Sequence, residues 1–266
     1  MDGYATAADG TRIAFQVRGS GPPLVLLSGQ SNSHRWWDAV RADFESTFTT
    51  VTLDHRGTGD SDKPDVPYST EMFADDVAAV INAAVIGELD ADRVDLYGTS
   101  MGGRIAQWVA VKHPHLVRTL VLGCTSPGGM HAVERGQDVR RSLAQADRAA
   151  ADRALAELMF TPAWLAEHPG PHAVLGDPGM PAYARRRHLT ASAQHDAWDV
   201  LPAIAAPTLV VHGADDRFNP TANAALIADR IPGAWMHLVP GARHAYFEEF
   251  RATASPLVLE FVTAAR

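Results

Sequence analysis

Three kinds of side chain in this sequence could combine into acyl-transfer chemistry: a serine framed by glycines, a carboxylate and an imidazole. The serine is Ser100, in Gly98-Thr99-Ser100-Met101-Gly102. An apolar run, Val94 to Tyr97, leads into it, and a helix-like stretch, Ile105 to Val111, follows. Strand, sharp turn and helix is the context in which a Gly-x-Ser-x-Gly pentapeptide makes a nucleophile. The turn strains the serine backbone, so its neighbours must be small. Gly98 and Gly102 meet that need, and Gly103 lets the start of the helix lie close to the strand. Backbone N–H groups at that helix start can hold a developing negative charge. A serine nucleophile also needs a base, and the base an orienting carboxylate. Two later loops offer them: Gly213-Ala214-Asp215-Asp216 carries carboxylates, and Val239-Pro240-Gly241-Ala242-Arg243-His244 carries an imidazole.

The elements that must position these groups follow from hydrophobic periodicity. Thr11 to Arg18 alternates polar and apolar, the pattern of a half-buried strand, with Asp9-Gly10 as a turn before it. Leu24 to Leu27 is continuously apolar, as in a strand buried on both faces of a parallel sheet. Trp36 to Phe44 reads as a helix, Thr50 to Leu53 as a strand, and Ser69 or Thr70 as the cap of a helix carrying Phe73, Val77, Val80, Ile81 and Ala84 on one face. Thr119 to Gly123 is a further strand. From 126 to 206 the pattern changes to Ala, Arg, Asp and His with helical segments, Gln137–Phe160 and Tyr183–Trp198, and no apolar strand. Sheet patterning then resumes with Thr208 to Gly213, a helix over Thr221–Ile231, a strand over Ala234–Val239 and a closing helix over Ala245–Ala265. Alternating strands and helices predict a mostly parallel α/β sheet with flanking helices. Its core is formed by residues 1–125 and 207–266, with 126–206 as a helical cap or lid insertion.

With several motifs in this order, the chain resembles the alpha/beta-hydrolases from end to end. It is most similar to the group of 3-oxoadipate enol-lactonases, aclacinomycin-type methylesterases, cofactor-free haloperoxidases and bacterial esterases. The resemblance rests on Gly98-Thr99-Ser100-Met101-Gly102-Gly103, on Asp54-His55-Arg56-Gly57-Thr58-Gly59-Asp60-Ser61 as a D-x-R-G-x-G-x-S loop, on Gly213-Ala214-Asp215-Asp216 with Pro220 as an acid loop, and on Gly241-Ala242-Arg243-His244. It implies a catalytic triad of Ser100, Asp216 and His244, and an oxyanion hole made by the backbone N–H groups of Gln30 and Met101. The family usually carries His-Gly after the strand that ends at Leu27. This chain has Ser28-Gly29, which leaves the oxyanion loop without its customary organiser.

The resemblance implies a serine hydrolase that cleaves a carboxylic ester or lactone of a small organic molecule, without metal or organic cofactor. Gln30, Trp36, Trp37 and His195 are candidates for the pocket wall, although Trp36 and Trp37 would equally pack the first helix. His34, His113, His115 and His188 read as surface or loop residues, and no H-E-x-x-H pairing suggests zinc. Arg56 braces its loop, Arg185-Arg186-Arg187 reads as a solvated helix face, and Cys124 as a small core residue. Other readings on the same triad are a carbon–carbon bond hydrolase and a natural-product tailoring enzyme. A non-hydrolytic ligand-binding member of the fold is a third, because fold does not dictate function. The formal charge of −8 argues against nucleic acid as partner. The absence of a long apolar run argues against a membrane span. A single cysteine and an N-terminus without signal-peptide features lead to the expectation of a cytoplasmic protein.

Overall fold

The computed structural model describes every residue except Glu88, Asp90 and Arg266. The chain opens with β1 (Asp2–Thr6) and β2 (Arg12–Gly19), an antiparallel pair joined through the Asp9-Gly10 turn. Then follow β3 (Pro23–Leu27), α1 (Ala42–Glu45), β4 (Thr49–Leu53), α2 (Thr70–Ile81), β5 (Val94–Thr99), α3 (Met101–Lys112) and β6 (Val117–Gly123). After β6 the chain passes through four helices: α4 (Gln137–Leu143), α5 (Arg148–Met159), α6 (Pro162–Glu167) and α7 (Ala182–Ala193). It returns as β7 (Thr208–Gly213), α8 (Ala222–Arg230), β8 (Trp235–Val239), α9 (Tyr246–Glu249) and α10 (Arg251–Ala264).

The eight strands form one sheet in the order β1-β2-β4-β3-β5-β6-β7-β8. From β4 onward every pairing is parallel, whereas β2 meets both β1 and β4 antiparallel. The central strands β3, β4 and β5 are buried along their whole length, β3 as the continuous apolar run that a sheet covered on both faces favours and β4 and β5 with buried threonines and Asp95 among their apolar residues. Successive side chains leave a strand on opposite faces. Val25 and Leu27 accordingly join the layer under α2, α3 and α8 with Phe73, Val77, Ile105 and Ile227. Leu24 and Leu26 join Trp37, Phe44, Tyr97 and Phe247 on the other face. Each fully buried side chain of this size contributes about 1.5–3 kcal/mol against the entropy of ordering the chain.

Some expected helices divide. Trp36 to Phe44 is a single turn over His34–Trp37 followed by the four-residue α1. The indoles fix this break: Trp36 Nε1 donates to Thr99 Oγ1 at 2.8 Å, and Trp37 packs against Tyr97 and Phe247 at 5.0 and 5.3 Å between ring centres. The expected helix from 137 to 160 splits because Asp147 caps a new start, accepting from the N–H of Ala149. The closing helix breaks at Phe250 into α9 and α10, and α7 ends at Ala193 so that His195 can turn inward. Among the described residues the segment between β6 and β7 contributes no strand to the sheet, only one isolated bridge between Gly128 and Asp196.

Candidate active site

Ser100 joins β5 to α3 with φ 56° and ψ −120°, a left-handed conformation that costs a side-chain-bearing residue of order 1–3 kcal/mol. The surroundings impose it. A Cβ on Gly98 would sit 2.2 Å from the Gly102 carbonyl oxygen, and one on Gly102 would sit 2.3 Å from that of Leu27. The chain can therefore reverse only with glycine at both places. Ser100 N–H donates to Gly123 O at 2.9 Å, and Thr125 Oγ1 donates to Ser100 O at 2.7 Å, which pins the turn to the end of β6. Ser100 remains partly exposed.

The carboxylate and the imidazole meet at the ends of β7 and β8. His244 Nδ1–H donates to Asp216 Oδ2 at 2.7 Å, and both side chains are buried. With Nδ1 as donor, Nε2 carries the lone pair, and among the described residues that buried atom has no protein partner. The edge of Phe218 meets the His244 ring at 4.7 Å between centres. Asp216 is held on both oxygens: Asn219 N–H donates to Oδ1 at 2.9 Å, and His212 Nε2–H donates to Oδ2 at 3.1 Å while also reaching Asn219 O at 2.8 Å. Burial alone would raise the Asp216 carboxyl. The interaction with His244 and the hydrogen bonds from His212 and His244 outweigh it and hold the group well below the usual carboxylate range. His212 and Asn219 went unassigned in the sequence. The available signal was position, a histidine and an asparagine flanking the acid by four and three residues. Asp215, the neighbouring carboxylate, points to solvent.

Gln30 and Met101 each present a backbone N–H that no protein carbonyl accepts among the described residues. The Gln30 loop lacks the expected histidine, yet two other histidines brace it. His55 Nε2–H donates to Ser28 O at 3.3 Å. His188 accepts from Ser31 N–H on Nδ1 at 3.3 Å and donates from Nε2 to Arg56 O at 2.8 Å. Ser28 Oγ closes the loop on Asn32 O at 3.2 Å, and Asp177 N–H donates to Ser31 O at 2.7 Å. Burial pushes His55 down to about 4 and His188 down to about 3, so both are neutral and able to accept as well as donate. His188 is thus no surface residue: it is fully buried, in edge contact with Phe73 and Tyr68.

The expected pocket residues divide. Gln30 is partly exposed, whereas Trp36 and Trp37 belong to the core for the reasons given above. His195 is also interior, with Nδ1 on Thr70 Oγ1 at 3.0 Å and Nε2 near Gln107 Oε1 at 3.4 Å, and it ties the segment after α7 to α2 and α3. A cavity of about 970 Å³ lies between Ser33 and Arg35 on one side and α5, Leu165 and the loop 169–178 on the other, and none of Ser100, Asp216, His244 and Gln30 is among its lining residues. Arg56 braces its loop through two bonds of 2.6 Å to Asp76 and one of 2.8 Å to Asp9. Cys124 is buried, and burial raises its thiol well above the ordinary range, as for an inert core residue.

Residues 22–250 match the family described as alpha/beta hydrolase fold. An uncharacterized protein of Mycobacterium tuberculosis is 36% identical over 121 residues, which are 46% of this chain and 33% of that one. The chain thus spans about a third of that relative's length. A 2-hydroxymuconate semialdehyde hydrolase from a Pseudomonas species is 29% identical, covering 99% of this chain and 94% of its own. Among solved structures, Est816, described as an N-acyl homoserine lactone degrading enzyme, superposes with a TM-score of 0.79 at 29% identity, over 97% of this chain and 100% of its own. Sheet order, strained serine turn and family match agree: the chain belongs to the alpha/beta-hydrolase fold family and its kinship is with hydrolases.

Proposed function

We propose that this protein is a serine hydrolase that cleaves a carboxylic ester or lactone of a small organic molecule, with Ser100 as nucleophile, His244 as base and Asp216 as orienting acid. The observation that carries the reading is His244 itself. Its Nδ1–H is committed to Asp216 while Nε2 is left buried and, among the described residues, without a partner, the arrangement a general base for a serine hydroxyl requires. In the proposed reaction Ser100 Oγ attacks the carbonyl carbon and His244 Nε2 takes its proton. The oxyanion is received by the N–H groups of Met101 and Gln30, each worth roughly 3 kcal/mol in the barrier. Collapse breaks the bond to the alkoxy oxygen, which leaves with the proton from His244. Water then gives a proton to His244 and attacks the acyl carbon, and collapse breaks the bond to Ser100 Oγ, which takes that proton back as the acid leaves.

Residues 126–206 serve in this reading as a lid. The large cavity that they share with Ser33 and Arg35 is of a size suited to a small organic ligand. The test is single-turnover kinetics with short-chain 4-nitrophenyl esters on the wild type, Ser100→Ala and His244→Ala. A burst in the wild type alone, with a mass adduct on Ser100, supports the proposal. No turnover and no labelling by a fluorophosphonate would overturn it and favour a ligand-binding role. A carbon–carbon hydrolase on the same triad is the second reading, favoured by the 29% identity to 2-hydroxymuconate semialdehyde hydrolase along nearly the whole chain. Serine-dependent turnover of a diketone-type substrate at a higher kcat/KM than any ester would select it.

A further inference from the structure

We propose that His212 is a positioning residue of the site: by sharing Asp216 Oδ2 with His244, it weakens the hold of the carboxylate on His244 and leaves that imidazole free to take and return a proton. This rests on the serine hydrolase reading. His212 lies near the end of β7, fully buried, four residues before Asp216. Its Nε2 stands 3.1 Å from Asp216 Oδ2 and 2.8 Å from Asn219 O. Both partners are acceptors, so Nε2 must carry the proton and Nδ1 the lone pair. Among the described residues Nδ1 has no partner, so no competing hydrogen bond turns the ring away. The second acceptor is itself held in place, because Asn219 Nδ2 donates to Cys124 O at 2.7 Å and Asn219 Oδ1 accepts from Asn223 Nδ2 at 3.2 Å. The ring is thus a donor clamped in one tautomer and one orientation.

Asp216 Oδ2 consequently receives two imidazole donors, His244 Nδ1–H at 2.7 Å and His212 Nε2–H at 3.1 Å, while Oδ1 has the Asn219 N–H at 2.9 Å. Orienting the base requires only the first of these. Each hydrogen bond to a carboxylate oxygen takes up part of its charge. His212 takes it from the same atom that holds His244, and all three side chains are buried, where such effects are least screened. Without His212, Oδ2 would bind an imidazolium at His244 more tightly, and return of the proton to the leaving group would be harder. Because Nε2–H is divided between two acceptors, with its shorter bond on Asn219 O, the effect is a fraction of a full charge-assisted bond. The other ionisable groups about the pair are Arg135, whose charge reaches Asp216 from the segment after β6, and Cys124 at the end of β6. Burial holds the Cys124 thiol well above its ordinary range and Arg135 keeps its charge, so neither titrates near neutral pH, and Asp215 faces solvent.

The experiment titrates His244 directly, in protein carrying ¹⁵N-labelled histidine, by long-range ¹H–¹⁵N correlation spectra in which its signals are identified by their loss in His244→Ala. The wild type should show His212 as the Nε2–H tautomer. In His212→Phe, which keeps a ring and loses the donor, the His244 midpoint should rise by about half to one pH unit, and the acid limb of kcat/KM for 4-nitrophenyl acetate should move with it. His212→Gln, whose amide can donate from near the same point, should bring both back to the wild-type position. Val211→Ala, at a buried neighbour whose side chain leaves the opposite face of β7, should lower stability and move neither. A histidine that served only the packing of β7 would cost stability without moving the midpoint. Should His212→Phe fail to fold, the smaller His212→Leu carries the comparison. An unmoved midpoint in a folded variant without the donor, or an Nδ1–H tautomer at His212, would overturn the proposal. If the midpoint moves as expected while no ester turns over, the hydrolase reading fails and the coupling of His212 to His244 stands.

Discussion

Replacing His188 by glutamine should make the protein less sensitive to acid, by an amount that follows from burial. His188 is fully buried and pushed down from 6.5 to about 3, while in the unfolded chain it returns to its ordinary value. Between those two values the unfolded state binds a proton that the folded state refuses, so stability falls as pH falls. The sign is that of any group depressed by folding: no penalty above 6.5, a growing loss below it, and a plateau once the folded state also protonates near 3. At about 1.4 kcal/mol per pH unit, the loss from pH 7.5 to 4.5 is about 2.5 kcal/mol for His188. His55, depressed to about 4, adds nearly as much, and His195 acts in the same direction. Glu248, which burial pushes up to about 7, works against them, so the slope of the wild type alone does not isolate His188.

The difference between wild type and variant does. Glutamine can keep the donor to Arg56 O and does not titrate. Urea unfolding of both proteins across this pH range should show the gap in unfolding free energy moving by about 2.5 kcal/mol in favour of His188→Gln on acidification. Curves that stay parallel would refute the claim that His188 is neutral and buried in the folded state. Because Ser31 N–H leans on His188 Nδ1, protonating that nitrogen also removes the acceptor beside Gln30. Activity should therefore be lost reversibly before the global transition.

Two further changes test the site directly. In Asp216→Asn the Asn219 N–H should keep the amide oxygen in the place of Oδ1, which turns the NH₂ toward His244 and His212 and forces the wrong imidazole tautomer. We expect kcat/KM on a 4-nitrophenyl ester to fall about 10⁴-fold, and a loss under tenfold would mean that Asp216 does not orient the base. Gly102→Ala would press a methyl group onto the Leu27 carbonyl at 2.3 Å. It should cost about 3 kcal/mol or more in urea unfolding, and a cost below about 1 kcal/mol would show that the turn relaxes.

How far the sequence can be read differs between the sheet and the site. Strands such as Leu24–Leu27 and Thr208–Gly213 were legible because burial on both faces demands an unbroken apolar run, and the sheet supplies that burial. β1 was not, because Asp2, Tyr4 and Thr6 are exposed on an edge strand and leave only a weak alternation. The strained turn at Ser100 and the meeting of Asp216 with His244 were legible because each residue follows a strand with a glycine close by. The residues that hold them were not. His188 and His195 lie in a region of low apolar content, where nothing local distinguishes a solvated histidine from one turned inward. Their burial depends on α7 packing over the loop after β3 and over α2, contacts more than a hundred residues apart in sequence.

That separation bears on the departure at Ser28. An oxyanion loop needs a rigid backbone so that one N–H stays aimed at the site, and a histidine in the loop is one way to achieve it. Here the rigidity is imported. His55 arrives from the loop after β4, His188 from α7 and Asp177 from the turn before it, and each bonds to the backbone of Ser28 or Ser31 on either side of Gln30. The Ser31 backbone is strained, at φ 60°, and the bonds from His188 and Asp177 oppose its relaxation. Two of the three braces belong to the segment between β6 and β7. Any motion of that segment is thereby coupled to the backbone beside Gln30, and under the proposed function the same helices would govern substrate entry and oxyanion geometry.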